Sequence, residues 1–422
     1  MPITKTSLPP VLRQFLAWTA VLASIAFATK CICQWLLHLP AAYDYMIFPT
    51  SFLGVDFNCF RGRFEHFHHA SFFGPNSSLV FTYPAPAAVV YQFFYLPPEP
   101  VVVYSLFFAA CIGIVGYHFS GVLERYGVQR KQALIFLAVT ALCSDAFICQ
   151  FFLANLEIVL GFVIGFGLYF FLKNKPWASA TCFAVAGSMK LFPFIFLALL
   201  LTQKKYKQIA YALVLAVVIY IASCWLLSGS VATSWHGTQA GLDFYRQNYA
   251  LSFNSWDTGV DHSIWGLIKG TIVLAGFHYP TNSTMAPIMR MYMAVTTVIG
   301  LLLYFLRIRF LPVLNQVLTI CIISILLTPS SKDYTLMHLY VPWAMLVLLA
   351  VQAHRQHREI QGLKAAFVCL ALLLAPISEI IARGNVLSGQ IKSVQLIALL
   401  IIGLRFPFTT PEEATSAAPM RA

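Results

Sequence analysis

The chain has 422 residues, 59% of them hydrophobic and only 10% charged, with a mean hydropathy of +0.76. Long continuous apolar runs at this composition exclude a soluble domain, and because the runs do not alternate polar with apolar they exclude a transmembrane barrel as well. The formal net charge of +12 does not point to nucleic acid, because the basic residues fall in short connections where membrane orientation and anionic headgroups account for them.

In chain order, hydropathy and charge predict an all-α polytopic membrane protein. Lys5 and Arg13 precede a first span over about Val11 to Trp35, running inside to outside without a small-residue cleavage site. A polar, aromatic outer loop follows to about Leu79, and then an apolar segment from Tyr83 to Leu96 that lies at the membrane interface. Spans from Pro100 to Phe119, Gln132 to Phe152 and Ile158 to Leu172 come next, with Glu124–Lys131 inside and Asn155-Leu156-Glu157 outside.

The stretch Pro176 to Thr202 has lysines at both ends: Lys173 and Lys175 before it, Lys204, Lys205 and Lys207 after it. Both clusters favour the cytoplasmic side, and a stretch of roughly 27 residues is too short for two full spans of about 20 each. A hairpin of two short helices resolves the conflict, with Lys190-Leu191-Phe192-Pro193 at its tip and Pro193 opening the second helix. A lone ammonium in such a place usually serves a ligand; the alternative is a lysine snorkelling from an ordinary helix.

A span over Ile209 to Leu227 leads to a second long outer loop, to about Pro287, with an interfacial helix over Ser263–Phe277. Further spans are expected at Ile288–Leu306, Leu311–Leu327, His338–Val351, Leu363–Ile381 and Gly389–Leu404. Arg307, Arg309, Arg355, Arg358 and Arg405 all fall inside. With the hairpin halves counted separately this gives about twelve passes, in a single domain over residues 1–408 followed by a disordered cytoplasmic tail, 409–422. The ten cysteines are scattered, mostly inside apolar runs, and read as small hydrophobes; Cys31 and Cys33 are the closest pair. There is no Walker loop, no G-x-G-x-x-G and no internal repeat.

On this topology the remaining polar residues gather on the outer side. The first outer loop brings Asp56, Arg61, His66, His68, His69 and Tyr83, and the third span exits at Asn155 and Glu157. The hairpin brings Lys190, and the second outer loop Asp243, Arg246, Asn254, Asp257, Asp261 and His262. Ser331, Lys332, Asp333 and Tyr334 follow, and Arg383 and Asn385 complete the set. Acids and bases converging at one membrane face suit a catalytic cavity in which a carboxylate acts as general base and cations hold a phosphate. Each residue also has a plainer reading. Asp56 could be a solvated acid or a helix cap, Asn155 and Glu157 caps of the next helix, and Asp333 a local partner of Lys332. The three histidines at i, i+2, i+3 on a loop signal metal only weakly and fit interfacial packing better.

Several of these residues form ordered motifs: Asp56-Phe57, then Phe81-Thr82-Tyr83-Pro84, then Asn155-Leu156-Glu157 about thirty residues ahead of Gly187-Ser188-Met189-Lys190-Leu191-Phe192-Pro193. Asp261-His262-Ser263 and Leu327-Thr328-Pro329-Ser330-Ser331-Lys332-Asp333-Tyr334 follow. In this order they resemble glycosyltransferase family 87, integral-membrane sugar transferases of the GT-C fold that use polyprenyl-phosphate-linked sugars. The likeness extends from about residue 50 to 350. It departs from the family at Asp261, where an Asn is usual, and in the last motif, where several members carry a His pair or a Trp.

The resemblance implies that Asp56 is the catalytic base in an inverting transfer of a hexose, mannose foremost, to a glycolipid or glycan acceptor outside the cytoplasm. Lys190 would stabilise the donor phosphate, aided by Arg61 or His262, with Tyr83, Asn155, Glu157, Asp333 and Tyr334 lining the donor and substrate site. The prenyl chain would lie in a groove open to membrane lipids, beside a helix N-terminus at the hairpin tip that also favours an anion. No cofactor, metal or nucleotide sugar is expected. The rival reading is a secondary transporter or lipid-linked-sugar flippase, which would share the broken helix and the buried charge. Against it stand the lack of a repeat and the gathering of polar residues at one face.

Overall fold

The computed structural model describes residues 7–32, 54–74, 80–253, 258–275, 280–376 and 388–409. Asn254, Asp257, Arg383, Asn385, Cys33 and nearly all of the expected tail lie outside these residues. Among the described residues every regular element is helical.

The helices in order are α1 (Pro10–Cys31), α2 (Val55–Phe64), α3 (Ala85–Tyr95), α4 (Pro100–Arg125), α5 (Arg130–Leu142), α6 (Asp145–Leu153), α7 (Glu157–Leu172), α8 (Pro176–Met189), α9 (Leu197–Thr202), α10 (Tyr206–Ser228) and α11 (Val231–Tyr245). They continue with α12 (Ile264–Leu274), α13 (Asn282–Leu306), α14 (Val313–Leu326), α15 (Tyr340–Arg355), α16 (Leu363–Leu374) and α17 (Ser388–Arg405). Short 3-10 turns occupy Phe192–Phe196 and Asp333–Leu339, and a π-helical turn extends α11 over Arg246–Ala250.

Among the described residues five helical stretches are long and apolar enough to cross a membrane: Pro10–Thr29, Pro100–Arg125, Tyr206–Ser228, Asn282–Phe310 and Asp333–Arg355. The pair α5 and α6 makes a sixth if counted as one broken span. Other expected passes, such as α7, α14 and α16, are shorter apolar helices of 10–17 residues. Their surfaces divide as membrane helices should. On α10, Val214, Val217, Val218 and Ile221 form an i, i+3, i+4, i+7 stripe that faces outward, an apolar face for lipid. In α14, by contrast, every residue from Leu314 to Leu326 is buried, so α14 is the central post of the bundle.

The hairpin over Pro176–Thr202 is present. Lys190 leaves the helical region at the end of α8 (φ −145°, ψ 147°), Pro193 sits in the first turn of the 3-10 segment, and the chain doubles back. Phe183 stacks on Phe196 with ring centroids 5.6 Å apart; in one straight helix thirteen residues would separate them by about 20 Å. A side chain on Gly187 would lie 2.6 Å from the Phe194 ring, so glycine permits the two arms to close. Gly187→Val is expected to lower thermal stability by about 1–3 kcal/mol through overpacking, measurable as a lower melting temperature in detergent.

Two expectations are corrected. The third span is not one helix: α5 stops at Leu142 and α6 begins at Asp145, with a bend of 58° between them. Ser144 N-caps α6 by accepting the Phe147 N–H, a start signal that a continuous apolar run conceals. The stretch expected as a second outer loop is also more ordered, since α11 occupies Val231–Tyr245 in addition to the expected helix, which runs over Ile264–Leu274. Gly241 lets α11 lie against the first-loop strand of chain, because a Cβ there would sit 2.1 Å from the Phe81 carbonyl oxygen.

Candidate active site

Asp56 is placed from two sides. Gly54, in the left-handed region (φ 74°) with no room for a Cβ beside Val101, starts α2, and its N–H donates to the Phe152 carbonyl at 2.7 Å. That bond ties the beginning of α2 to the end of α6. On α2, Phe57, Phe60 and Phe64 are buried and pack among Tyr91, Phe94, Tyr95 and Phe81. This apolar anchoring leaves Asp56 directed at Asn155, just past α6. The Asn155 side-chain N–H donates to Asp56 Oδ2 at 2.6 Å and to the Tyr83 hydroxyl oxygen at 2.9 Å. Asn155 Oδ1 in turn accepts the Glu157 backbone N–H at 3.0 Å.

The turn that holds Asn155 is itself over-determined. Ala154 takes a left-handed conformation to end α6. The Asn155 carbonyl accepts from the Tyr104 hydroxyl at 2.9 Å and from the Gln150 amide, and the Leu156 N–H donates to Tyr91 at 3.1 Å. Asn155 is not the N-cap of α7, which is Leu156; it lies one residue ahead, where its Oδ1 takes the first helical N–H while its amide reaches the carboxylate. Burial pushes the Asp56 carboxyl above its ordinary 3.8, opposed by the hydrogen bond from Asn155 and by the charges of Lys332 and Lys190. Burial foremost, and then the Asp56 charge, hold the Tyr83 hydroxyl well above its usual range, so it is neutral.

Lys190, at the hairpin tip, bonds Glu157 Oε2. Its ammonium also lies 5.5 Å from the centre of the Tyr83 ring and 5.6 Å from that of Tyr334, a cation held against two aromatic faces. The other oxygen of Glu157 is 3.0 Å from His338 Nε2, and the His338 ring packs on Phe192 of the hairpin at 5.2 Å. Glu157 is fully buried while the Lys190 side chain keeps 19% of its exposure, so the cation remains the accessible partner. Tyr334 and Lys332 come from the 3-10 segment around Asp333, and the Lys332 ammonium stands 5.3 Å over the Tyr249 ring.

Asp56, Tyr83, Asn155, Glu157, Lys190 and Tyr334 thus meet in one place. Three expected residues do not. Arg61 is exposed and donates to the Pro98 carbonyl at 3.4 Å: five positions on from Asp56, it lies about 140° around α2. His262 is buried behind the 3-10 segment, its Nε2 3.1 Å from Ser331 Oγ and 3.2 Å from Thr335 Oγ1. Burial, and next the charge of Lys392, keep His262 well below the usual 6.5, so it is neutral and supplies no cation. Asp333 pairs not with Lys332 but with Lys392 of α17, at 2.5 Å. The loop histidines separate as well: His66 Nδ1 faces Ser71 at 3.2 Å and His68 Nδ1 the Leu226 carbonyl at 2.9 Å.

Residues 81–329, more than half of the chain, match the family model of glycosyltransferase family 87. The chain belongs to glycosyltransferase family 87. It is therefore a glycosyltransferase, and the transporter reading is set aside. Comparison with curated proteins and with solved structures gave no match. Tyr83, Asn155, Glu157, Lys190 and His262 fall inside the matched stretch of this family 87 protein, whereas Asp56, Asp333, Tyr334 and His338 flank it. His338, Tyr91 and Gln150 complete the surroundings of the site without having been singled out in the sequence, where each reads as part of an apolar helix.

Proposed function

We propose that this family 87 enzyme transfers a hexose, mannose, from a polyprenyl-phosphate donor to a hydroxyl of a glycolipid or glycan acceptor, with inversion, on the extracytoplasmic face of the cell membrane. The observation that carries the reading is the half-buried Asp56 carboxylate, fixed by Asn155 at 2.6 Å beside the one cluster that also presents Lys190. The proposed chain passes the membrane about twelve times, with the hairpin halves counted separately.

In the reaction, Asp56 removes the proton from the acceptor hydroxyl as its oxygen bonds to the anomeric carbon. The bond from that carbon to the phosphate oxygen breaks, and its electron pair leaves with polyprenyl phosphate. That leaving group is already a good anion and needs no strong acid. Lys190 supports the charge it gains, where a positioned cation in a partly dry site is worth a few kcal/mol of barrier. Tyr83 and Tyr334, flanking the ammonium, restrict it to the donor side. The prenyl chain lies in the surrounding lipid, and neither Arg61 nor His262 takes part.

Incubating the purified enzyme with polyprenyl-phosphate mannose and a membrane glycolipid fraction should release free polyprenyl phosphate in step with glycosylated product. Turnover with no release of the lipid phosphate would overturn the donor assignment, and a retained anomeric configuration would overturn the role of Asp56. The pH dependence gives a second check. A base must be deprotonated, and burial raises the Asp56 carboxyl above 3.8, so activity should be lost as pH falls through that raised value. Asn155→Ala removes a bond that favours the charged form, so the acid limb of kcat/KM should move to higher pH.

A further inference from the structure

Behind the site lies a buried charge cluster that the proposed chemistry does not use. The Lys392 ammonium of α17 is bound by Asp145 Oδ2 at the start of α6 and by Asp333 Oδ1 at the start of the 3-10 segment. All three side chains are at most 3% exposed. Charged groups carried into a membrane protein's interior are costly and are rarely kept without a task.

We propose that Lys392 is a positioning residue for the donor side of the site: by holding Asp145 and Asp333 on one ammonium, it fixes α6 relative to the segment that carries Lys332 and Tyr334. The geometry gives both ends of this link a consequence. The nine-residue helix α6 begins at Asp145 and ends at the turn that presents Asn155 to Asp56. One residue to either side of Asp333 stand Lys332, whose charge favours the ionised Asp56 carboxylate, and Tyr334, whose ring lies 5.6 Å from the Lys190 ammonium. Because α6 is separated from α5 by the 58° bend, α5 does not hold its direction. The far end of α6 is tied to α2 by the Gly54 N–H and rests on Phe108 of α4, whereas its Asp145 end meets α15, where Ser144 Oγ accepts from the Tyr340 hydroxyl and Phe147 stacks on Tyr340 at 4.3 Å. Apolar packing of that kind tolerates sliding, whereas an ammonium shared by two carboxylates sets a distance. Without it the two carboxylates, both turned to the same point, repel. Both Asp333 and Lys392 lie beyond the stretch matched to the family.

The test uses Asp145→Asn, which turns a cluster of two carboxylates and one ammonium into a neutral carboxylate–ammonium pair, together with Lys392→Met and Lys392→Arg. The proposal rests on the donor reading above, and two measurements keep the two apart. Amide hydrogen exchange, which needs no substrate, should be faster over residues 331–339 in Asp145→Asn and Lys392→Met than in the native enzyme, with α14 unchanged. With polyprenyl-phosphate mannose as donor, donor KM should rise about tenfold in both variants while acceptor KM holds, and Lys392→Arg should restore it. Lys392→Met that fails to fold leaves Asp145→Asn to decide. Native exchange over 331–339, or an unchanged donor KM with only less folded enzyme, would overturn the positioning role. No turnover of the native enzyme with that donor would sink the donor reading and leave the exchange result to judge the bridge.

Discussion

Asp56→Asn is expected to lower kcat by about 10²–10⁴-fold, the usual worth of a positioned general base, while donor binding stays near native. The substitution is nearly isosteric, and the Asn155 amide can still donate to the carbonyl oxygen of the new side chain, so α2 and its aromatic anchoring on Tyr91, Tyr95 and Phe81 should remain. What disappears is the ability to accept a proton. Single-turnover measurement with radiolabelled donor separates the steps: label should bind at native concentration and fail to transfer. Native turnover in this variant would place the base elsewhere.

Lys190→Ala should be damaging in two distinguishable ways. Loss of one charge-stabilising group in such a site costs about 10²–10³ in kcat. The same change leaves the fully buried Glu157 carboxylate without its lysine, and breaking a buried pair costs about 3–5 kcal/mol. Thermal unfolding in detergent should therefore fall sharply in Lys190→Ala. In Lys190→Ala combined with Glu157→Gln it should recover in large part, because the amide keeps an acceptor for His338 and carries no charge. Turnover should not recover with it. Stability and activity returning together would reduce Lys190 to a structural lysine.

Much of the site was legible because charge is scarce in this chain: Asp56, Asn155, Glu157 and Lys190 stand out from apolar surroundings, and the lysines at both ends of residues 176–202 forced a hairpin that Phe183 and Phe196 confirm by stacking. What escaped depends on three-dimensional pairing. Nothing local tells that Asp333 reaches 59 residues along the chain to Lys392 rather than to its neighbour Lys332, or that His338 backs Glu157 across 181 residues. Arg61 points away because five residues on from Asp56 is about 140° around α2, a rotation that its place in the same polar loop does not reveal. The break before Asp145 was hidden because hydropathy averages over the two residues, Cys143 and Ser144, that turn the chain. Lys392 and Asp145 did carry a signal, a charge inside an apolar run, but not the identity of the partner.

The Lys190–Glu157 pair has a consequence for how the enzyme empties. Lys190 is already paired with Glu157, so under the proposed chemistry an arriving phosphodiester must compete with a carboxylate that cannot follow it, held as that carboxylate is by His338 and the Asn155 turn. Under the proposed chemistry the spent lipid phosphate carries more charge than the donor and would cling to the lysine. A resident anion of fixed position then works as a return spring, recapturing the ammonium and shortening the dwell of the product.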